Sequence, residues 1–375
     1  MRKRFRGQFR GQRVKNAAAL LCLAVCLWCA AASLGSWAQE DDSGAGRTSS
    51  ESRQEKGGRK QETSALPGGL SLLAENMLFS EDALLSEDLL LSNGGVVPFL
   101  EDILPGAVAT PDPDRASGPV EEVALSGGTQ VADFFVRDTT ESGTDLAAEL
   151  LENPSVNLKG DGSVEILLYH THTSEAYSRQ YTGFYYTDMD TRTQNQDMSV
   201  VAVGEAVKRE LEARGYGVVH DTTINDTLFN GSYARSWEVI QKNLEEHPGI
   251  QVTIDLHRDS MTTAEGLKYK PTAVINGRKA AQIMVLAGCN AHDDWEDFPN
   301  WRENLRLMLR VQQKAAELYP EFARPMNFSN SKYNMNATPG SMLIEVGTEV
   351  NTVSEAAYSG KLLGEVLAQT FDSLQ

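Results

Sequence analysis

Residues 164–175 read VEILLYHTHTSE, an apolar run that passes without a break into a polar cluster. The run is short and carries β-branched and aromatic side chains, so it predicts a buried β-strand over residues 164–169. A strand buried on both faces is typical of a sheet that is covered by helices on each side. The polar cluster then falls at the end of a strand, where open α/β sheets place their ligand sites.

Apolar runs of strand type alternate with segments of helical periodicity from residue 131 to residue 375. The other predicted strands cover residues 217–219, 250–256, 280–287 and 341–344, and the predicted helices cover 197–214, 236–246, 301–318 and 353–371. This alternation predicts an α/β domain with a mixed or parallel central sheet and helices on both faces. A region of this length can enclose a sizeable hydrophobic core.

The beginning of the chain has the pattern of an exported protein. Residues 1–16 contain seven Lys or Arg and no acidic residue, and residues 17–38 form an uncharged apolar run. Because the sequence after this run is acidic, we expect a cytoplasmic basic segment, a transmembrane anchor and an extracytoplasmic remainder. A cleaved signal peptide is the alternative, since residues 36–38 resemble a cleavage site, but the run is long for one.

The stretch between the anchor and the folded domain has a different composition. Residues 39–130 are acidic and largely rich in Gly, Ser, Pro and charged residues, which predicts a mostly disordered linker. Within it, residues 67–105 contain Leu clusters between acidic pairs and could form short amphipathic helices. The net charge of the chain is −18. Such a charge argues against nucleic acid as a partner, because binding to phosphates requires a basic surface.

The cysteines offer no disulfide framework outside the apolar run. Three of the four lie within residues 17–38, which leaves Cys289 alone in the exported part. Cys289 could be a nucleophile, but free Cys is among the most buried residue types. We therefore expect it to be buried and inert.

Three polar clusters follow predicted strands. They are residues 170–175 (HTHTSE), residues 255–259 (DLHRD) and residues 345–347 (EVG). Each places a His or Glu where a buried strand leaves the sheet, and together they predict one site.

The residue types in these clusters indicate hydrolysis at Zn²⁺, which binds His nitrogen and carboxylate oxygen. His172 and Glu175 form an H-x-x-E pair, and His257 completes a set of three ligands. The fourth position at such an ion is open to water. Glu345 is the predicted general base that transfers the proton of this water.

Other residues near these clusters have more than one interpretation. His170 is a structural His or a support for a ligand, although its spacing from His172 leaves either of the two as the ligand. His292 is a substrate-side residue, an alternative ligand or a plain loop His. Arg258 could neutralise a substrate carboxylate, or it could pair with Asp255 or Asp259.

The motifs resemble those of the stage II sporulation protein P family. The resemblance rests on residues 166–177 (ILLYHTHTSEAY), 254–259 (IDLHRD), 301–304 (WREN), 343–347 (LIEVG) and 351–352 (NT). It covers about residues 131–375, and the membrane anchor and variable linker before this domain also look like that family. Asn304, in the third motif, is a candidate for substrate binding or for support of the site.

The resemblance implies an activity and a setting. The family is similar in fold to the zinc N-acetylmuramoyl-L-alanine amidases, which implies cleavage of the amide between N-acetylmuramic acid and L-alanine in peptidoglycan, and also of stem-peptide cross-links. It further implies action at the septal or engulfing membrane during forespore engulfment, alongside a lytic transglycosylase called stage II sporulation protein D.

Two other functional classes compete with this interpretation. A non-catalytic wall-binding scaffold would be expected to lack a ligand or the base, yet His172, Glu175, His257 and Glu345 are all present. A peptidase similar to the zinc carboxypeptidases shares the ligand pattern but needs an Arg to bind a terminal carboxylate. Arg258 is the candidate for that role.

Overall fold

The computed structural model describes residues 109–375, and the fold is given for these residues. The predicted basic segment, the predicted anchor and most of the predicted linker lie outside the described residues. Within residues 109–375, no helix has the length and apolarity that are needed to cross a membrane.

The described part of the chain contains twelve strands and five α-helices. The strands are β1 Ser117–Val123, β2 Thr129–Val131, β3 Phe134–Asp138, β4 Val164–Tyr169, β5 Phe184–Tyr186, β6 Gly217–His220, β7 Val252–Asp259, β8 Lys268–Ile275, β9 Arg278–Ala281, β10 Ile283–Gly288, β11 Met326–Ser329 and β12 Gly340–Thr348. The helices are α1 Leu146–Leu151, α2 Val200–Ala213, α3 Ser232–Glu246, α4 Trp301–Leu318 and α5 Val353–Asp372. A 3₁₀ turn, Gln196–Met198, precedes α2.

The larger sheet has eight strands in the order β2-β3-β11-β10-β12-β7-β4-β6. Strands β12, β7, β4 and β6 run parallel to one another, whereas β10 runs antiparallel to β12. Strands β11 and β3 follow the direction of β10. Edge strand β2 is antiparallel to β3, so the sheet is mixed: β3, β11 and β10 run in one direction, and the other five strands run in the opposite one.

Strand β4 is buried on both faces, as its apolar sequence predicts. Ile166 and Leu168 belong to the main core with α2, α4 and α5, while Leu167 and Tyr169 form a second cluster with Ile240 of α3. Because successive side chains of a strand point to opposite faces, the two clusters lie on opposite sides of the sheet. The predicted α/β class, with a mixed sheet and helices on both faces, is confirmed.

The helices begin at polar caps. The Ser199 hydroxyl accepts a hydrogen bond from the backbone N–H of Val201 at the start of α2. At the start of α5, Thr352 and Glu355 form a capping box in which each side chain accepts a hydrogen bond from the other's backbone N–H. These side chains satisfy N–H groups that have no partner within the helix.

The folded part begins before the predicted end of the linker, because the smaller sheet includes β1. Strand β1 pairs with β8 in parallel and with β5 in antiparallel fashion, in a sheet of order β5-β1-β8-β9. Residues 117–123 therefore belong to the folded part, although the linker was predicted to extend to residue 130. The buried Lys270 of β8 pairs with Glu122 of β1, a long-range contact that local composition does not reveal.

Three strand boundaries also differ from prediction. The predicted strand 280–287 is two strands, because the chain passes from one sheet to the other at Gln282. The buried Gln282 side chain bonds to both the N–H and the C=O of Leu125. Strands β7 and β12 continue beyond their apolar runs, so His257 and Glu345 lie within paired strands rather than after them.

Candidate active site

Three adjacent parallel strands bring the predicted clusters to one edge of the sheet. Strands β4, β7 and β12 are neighbours and run in the same direction, so their carboxyl ends meet. Tyr169 is opposite Asp255, and Glu345 is opposite His257. Since neighbouring strands lie about 4.8 Å apart, these cross-strand pairs hold the side chains close together.

His172 lies in the first loop at this edge and is largely buried. Its Nδ1 has no hydrogen-bond partner among the described residues. One face of the ring stacks on Phe229, with 4.8 Å between ring centroids and 6° between planes. The ring also meets His257 at nearly a right angle, with centroids 5.4 Å apart. The neighbouring rings therefore hold the imidazole in place, while Nδ1 makes no hydrogen bond within residues 109–375.

Glu175 lies on the other side of His257. Its Oε2 accepts a hydrogen bond of 3.0 Å from the backbone N–H of Arg258 and lies 3.5 Å from His257 Nδ1. Burial by itself would raise the pKa of Glu175, but His257 and Arg258 outweigh it and lower the pKa to about 2. Glu175 is thus an anionic oxygen donor directed at His257.

Asp255 lies next to His257 Nε2 and supports its ring, a role that the sequence motifs did not predict. Its carboxylate accepts hydrogen bonds from the N–H and hydroxyl of Thr171, and Oδ1 lies 2.9 Å from His257 Nε2, although without hydrogen-bond geometry. Burial opposes a charge on His257, but Asp255 and Glu175 outweigh it and raise the pKa of His257 well above its usual value. The i, i+2 spacing of Asp255 and His257 could have predicted this contact, because it places both side chains on one face of the strand.

Glu345 lies beside His257 on strand β12. Its Oε2 is buried and has no hydrogen-bond partner among the described residues. Burial is the main cause that raises the pKa of Glu345 to about 8; His257 opposes the rise and Glu175 adds to it. Two residues later, Gly347 has φ +61°, and a Cβ there would lie 2.6 Å from Asn351 Oδ1. Glycine therefore permits the irregularity in the pairing of β12 with β7 between Glu345 and Thr348.

His170 is fully buried and has both ring nitrogens occupied. Nδ1 lies 2.9 Å from the carbonyl oxygen of Leu256, to which it must donate, and Nε2 lies 2.8 Å from His220 Nε2. Burial, followed by His220, lowers the pKa of His170 to about 3, so the ring is neutral. Gly204 of α2 allows this pair to fit, because a Cβ there would lie 2.5 Å from His220. These contacts match the structural interpretation of His170 and favour His172 as the ligand.

The Arg258 side chain lies on one face of the sheet, and the side chain of His257 lies on the other. Its guanidinium donates to the carbonyl oxygens of Ala176 at 3.0 Å and Thr191 at 2.7 Å, and it lies 3.7 Å from the Glu349 carboxylate. It pairs with neither the Asp255 nor the Asp259 carboxylate. Arg258 is buried and engaged in these contacts, so its predicted role in substrate binding is not supported.

His292 and Asn304 lie at the other edge of the sheet, which corrects their predicted place near the substrate. His292 follows β10, which runs antiparallel to β12, so it is beyond the amino-terminal end of β12. Its Nε2 lies 3.0 Å from the carbonyl oxygen of Thr140. Asn304 joins the start of α4 to the same end of β12, because its side chain accepts a hydrogen bond from Ser341 N–H. Four residues of strand, about 13 Å, separate Ser341 from Glu345.

The donor set at this edge fits Zn²⁺ in its chemistry. No three His, Cys, Asp or Glu side chains in residues 109–375 are already arranged as a metal site. However, the 3.5 Å between His257 Nδ1 and Glu175 Oε2 is long for a hydrogen bond. It is close to the ~3.3 Å that separates two ligands of tetrahedral zinc at ~2.0 Å each. A His ligand backed by a carboxylate, as His257 is by Asp255, is also usual at zinc.

A cavity of about 400 Å³ is lined by residues that follow the first polar cluster, but by none of His172, Glu175, His257 and Glu345. Ser178, three residues after Glu175, lines it together with Arg179 and the aromatic residues Tyr181 and Tyr185. Three residues span at most about 10 Å, which limits the distance between Ser178 and Glu175. Arg179 is exposed and has no hydrogen-bond or ion-pair partner within residues 109–375. The cavity therefore offers a free cation beside aromatic rings.

Comparison with known proteins identifies relatives of this chain. Residues 121–368 match the family model described as Stage II sporulation protein P. The chain is 26% identical over 232 residues to Stage II sporulation protein P of Bacillus subtilis (strain 168). This alignment covers 59% of the chain and 54% of that protein, so it spans about half of the relative's length.

Solved structures that resemble the chain include two amidases. One is the CwlD amidase from Clostridioides difficile in complex with the GerS lipoprotein, with 12% identity, coverage of 56% of this chain and 100% of that chain, and a TM-score of 0.35. Another is N-acetylmuramoyl-L-alanine amidase from Clostridium difficile 630, with 14% identity, coverage of 56% and 96%, and a TM-score of 0.34.

Proposed function

The chain belongs to the stage II sporulation protein P family, and on that premise we propose that it hydrolyses peptidoglycan in a zinc-dependent reaction. The observation that carries the proposal is the convergence of His172, Glu175, His257 and Glu345 at one edge of the sheet. The four residues come from three segments far apart in the chain. Their proximity is a property of the fold and not of one motif.

His172, Glu175 and His257 are the residues that would hold Zn²⁺. When bound, the ion supplies a Lewis acid that polarises a carbonyl oxygen and makes a water molecule more acidic. Asp255 keeps His257 oriented, and Phe229 keeps the His172 ring in place. The backbone N–H of Arg258 holds the Glu175 carboxylate.

Glu345 is the proposed general base. A base that takes a proton from water and returns it to a leaving amine works best when its pKa is close to the ambient pH. Burial raises the pKa of Glu345 above the usual carboxyl value, towards neutrality. The partner-free Oε2 is available for a proton, since no described side chain competes for it.

The proposed substrate bond is the amide between N-acetylmuramic acid and L-alanine, with stem-peptide cross-links as a second target. Membership of the family supports this choice. The cavity lined by Ser178 offers Arg179 for the carboxylates of an acidic stem peptide. The contacts of Arg258 count against the alternative peptidase, because that role requires its guanidinium to face the substrate. The presence of Glu345 together with all three ligands counts against a non-catalytic scaffold.

We also propose where the protein acts and with which partner. The basic residues 1–16 and the apolar residues 17–38 support an uncleaved anchor, with the enzyme outside the cytoplasm during engulfment. The family relationship supports cooperation with a transglycosylase similar to stage II sporulation protein D. Mass spectrometry of the native protein should find peptides that span Ala38 and Gln39. A mature N-terminus at Gln39 would instead indicate secretion.

The central test is digestion of purified peptidoglycan by the full-length protein, with and without a chelator. We expect release of stem peptides that begin with a free L-alanine amine, loss of this release with chelator, and its return after addition of Zn²⁺. Release that is unaffected by the chelator, or the absence of new amino termini, would contradict the proposal.

A further inference from the structure

Aromatic rings form a continuous rim beside His172. Phe229 stacks on one face of the His172 ring, and Tyr233 meets it edge-on with centroids 5.8 Å apart. Tyr333, from the loop before β12, lies 5.5 Å from Tyr233. The rim therefore runs from the loop before α3 across the first turn of that helix to a second loop.

The rim is unusually exposed for apolar surface. Phe229 is 62% exposed and its neighbour Leu228 is 72% exposed, while Tyr333 is 39% exposed. A folded protein rarely leaves large apolar side chains together in water, and such a patch at a site marks a place where a ligand binds.

The rim is also held in a fixed position. Arg235 donates hydrogen bonds to the carbonyl oxygens of Asn225, Leu228 and Asn230, which fixes the loop that carries Phe229. On the other side, the Asn334 side chain donates to the Tyr233 carbonyl oxygen at 2.9 Å and to Ser236 Oγ at 3.1 Å.

Tyr333 adopts a backbone conformation that is rare for its type. Its φ is +42°, and Asn334 follows with φ +59°. For a bulky side chain this left-handed conformation costs free energy, of the order of 1–3 kcal/mol, and such outliers cluster at functional sites. Strain at an exposed aromatic residue that packs on no core cluster indicates a function for its ring.

We propose that this rim, formed by Phe229, Tyr233 and Tyr333, is a stacking surface for a neutral pyranose ring of the glycan strand. The inference rests on the proposed function, because the bond to be cleaved joins a saccharide to a peptide. A pyranose presents an apolar C–H face and a hydroxyl perimeter, which suits aromatic faces bordered by polar groups.

The charges around the rim favour a neutral ligand over a charged peptide. Arg192 lies over the Phe229 ring but is paired with Asp226. Lys332, next to Tyr333, is paired with Asp297 at 2.8 Å. Arg192 and Lys332 are therefore paired with carboxylates, and Arg235 is occupied by backbone carbonyl oxygens of the loop, in contrast to Arg179 in the cavity.

The test measures binding of neutral N-acetylglucosamine oligomers, a glycan probe without carboxylates, by calorimetry with the full-length protein. We expect Phe229→Ala and Tyr333→Ala each to weaken this binding roughly tenfold. Phe229→Tyr should retain it, and binding of free stem peptide should be unchanged in all three variants. Leu151→Ala is the matched control, because Leu151 is 79% exposed and lies on α1, away from the rim.

Zinc content, measured on the same samples, distinguishes a direct role of Phe229 in glycan binding from a role in positioning His172. Loss of zinc in Phe229→Ala, with normal glycan affinity in Tyr333→Ala, would show that the rim only positions His172 and would overturn the proposal. Unchanged glycan affinity in both variants, or a rim that binds a protein partner but no glycan, would also overturn it. A wild-type protein that binds glycan but releases no stem peptide would instead contradict the proposed function alone.

Discussion

His172 Nδ1, His257 Nε2 and Glu345 Oε2 are buried atoms without hydrogen-bond partners within residues 109–375, and all three belong to the candidate site. Buried polar atoms are nearly always bonded, and each one left without a partner costs about 1–3 kcal/mol. Six other buried side-chain atoms in residues 109–375 also lack partners, and His257 Nε2 lies 2.9 Å from the Asp255 carboxylate, so the unbonded His172 Nδ1 and Glu345 Oε2 support a chemical role only together with their place in the candidate site.

The first prediction at this scale concerns the metal ligands. His172→Ala and His257→Ala should each lose bound zinc and activity while the fold is retained, because the core does not depend on either ring. Elemental analysis and circular dichroism check this. His247→Ala, at the far end of α3, should keep full zinc content. Full zinc occupancy in both ligand variants would show that the ligand set is wrong.

The second prediction concerns the base. Glu345→Gln should retain zinc and glycan binding, because the side chain is nearly isosteric, and should lose turnover by about 10²–10⁴-fold. Zinc content and release of stem peptide are measured together. Near-normal turnover would place the base elsewhere, with Asp259 as the next candidate. Loss of zinc in this variant would place Glu345 among the ligands.

At the scale of the elements, the cap of α5 fixes the chain that follows the strand of Glu345. Strand β12 carries Glu345 and ends at Thr348, and α5 begins only five residues later behind its capping box. The Glu355 side chain of that box also pairs with the buried Lys270 of β8. The start of α5 therefore joins the larger sheet to the smaller one.

Removal of this cap should cost stability. Thr352→Ala is expected to lower the free energy of unfolding by about 1 kcal/mol, because the buried N–H of Glu355 loses its acceptor. Urea denaturation measures the effect. Asp145→Ala removes the cap of α1, which has only six residues, and should have a smaller effect. Equal losses in the two variants would contradict the importance of the α5 box.

At the scale of the whole molecule, stability should depend on pH through Glu122. Burial opposes ionisation of Glu122, but Lys270 and Lys279 outweigh it and lower its pKa from 4.5. A lowered carboxyl pKa contributes stability above the unfolded value, and this contribution is lost as the pH falls through the folded pKa.

Glu122→Gln should therefore be less stable than the wild type at pH 7, and the difference should begin to shrink near pH 4.5 and vanish once the pH is below the lowered folded pKa. Urea denaturation at several pH values measures both proteins. Glu121→Gln is the control, because Glu121 is exposed on the same strand. A difference that does not change with pH would show that the ion pair is not its cause.

Truncation tests the boundary of the folded part. Residues 131–375 lack β1, which leaves the edge of β8 unpaired and removes Glu122 from the buried Lys270. Lys270 keeps Glu355 as a partner, but the loss of the β1–β8 pairing and of Glu122 should still lower stability, so this fragment should melt several degrees below residues 109–375. Calorimetry of the two fragments measures the difference. Equal melting temperatures would show that β1 is dispensable.

Local sequence patterns predicted most helices and strands and the three polar clusters that the fold brings together. Strand 164–169 and helix 301–318 were predicted with the observed bounds, because apolar periodicity is a local signal. The convergence of His172, His257 and Glu345 was also predictable, since parallel strands share an edge for their carboxyl ends.

Features that depend on contacts between distant segments could not be predicted from local patterns. Because β10 is antiparallel to β12, His292 and Asn304 lie at the sheet edge opposite the candidate site. The pairing of β1 with β8 extends the folded part to residues before 131. The contact of Phe229 with His172 likewise joins two loops that no periodicity connects. Strand order and direction are set by which distant surfaces bury each other, and a local pattern carries no information about that choice.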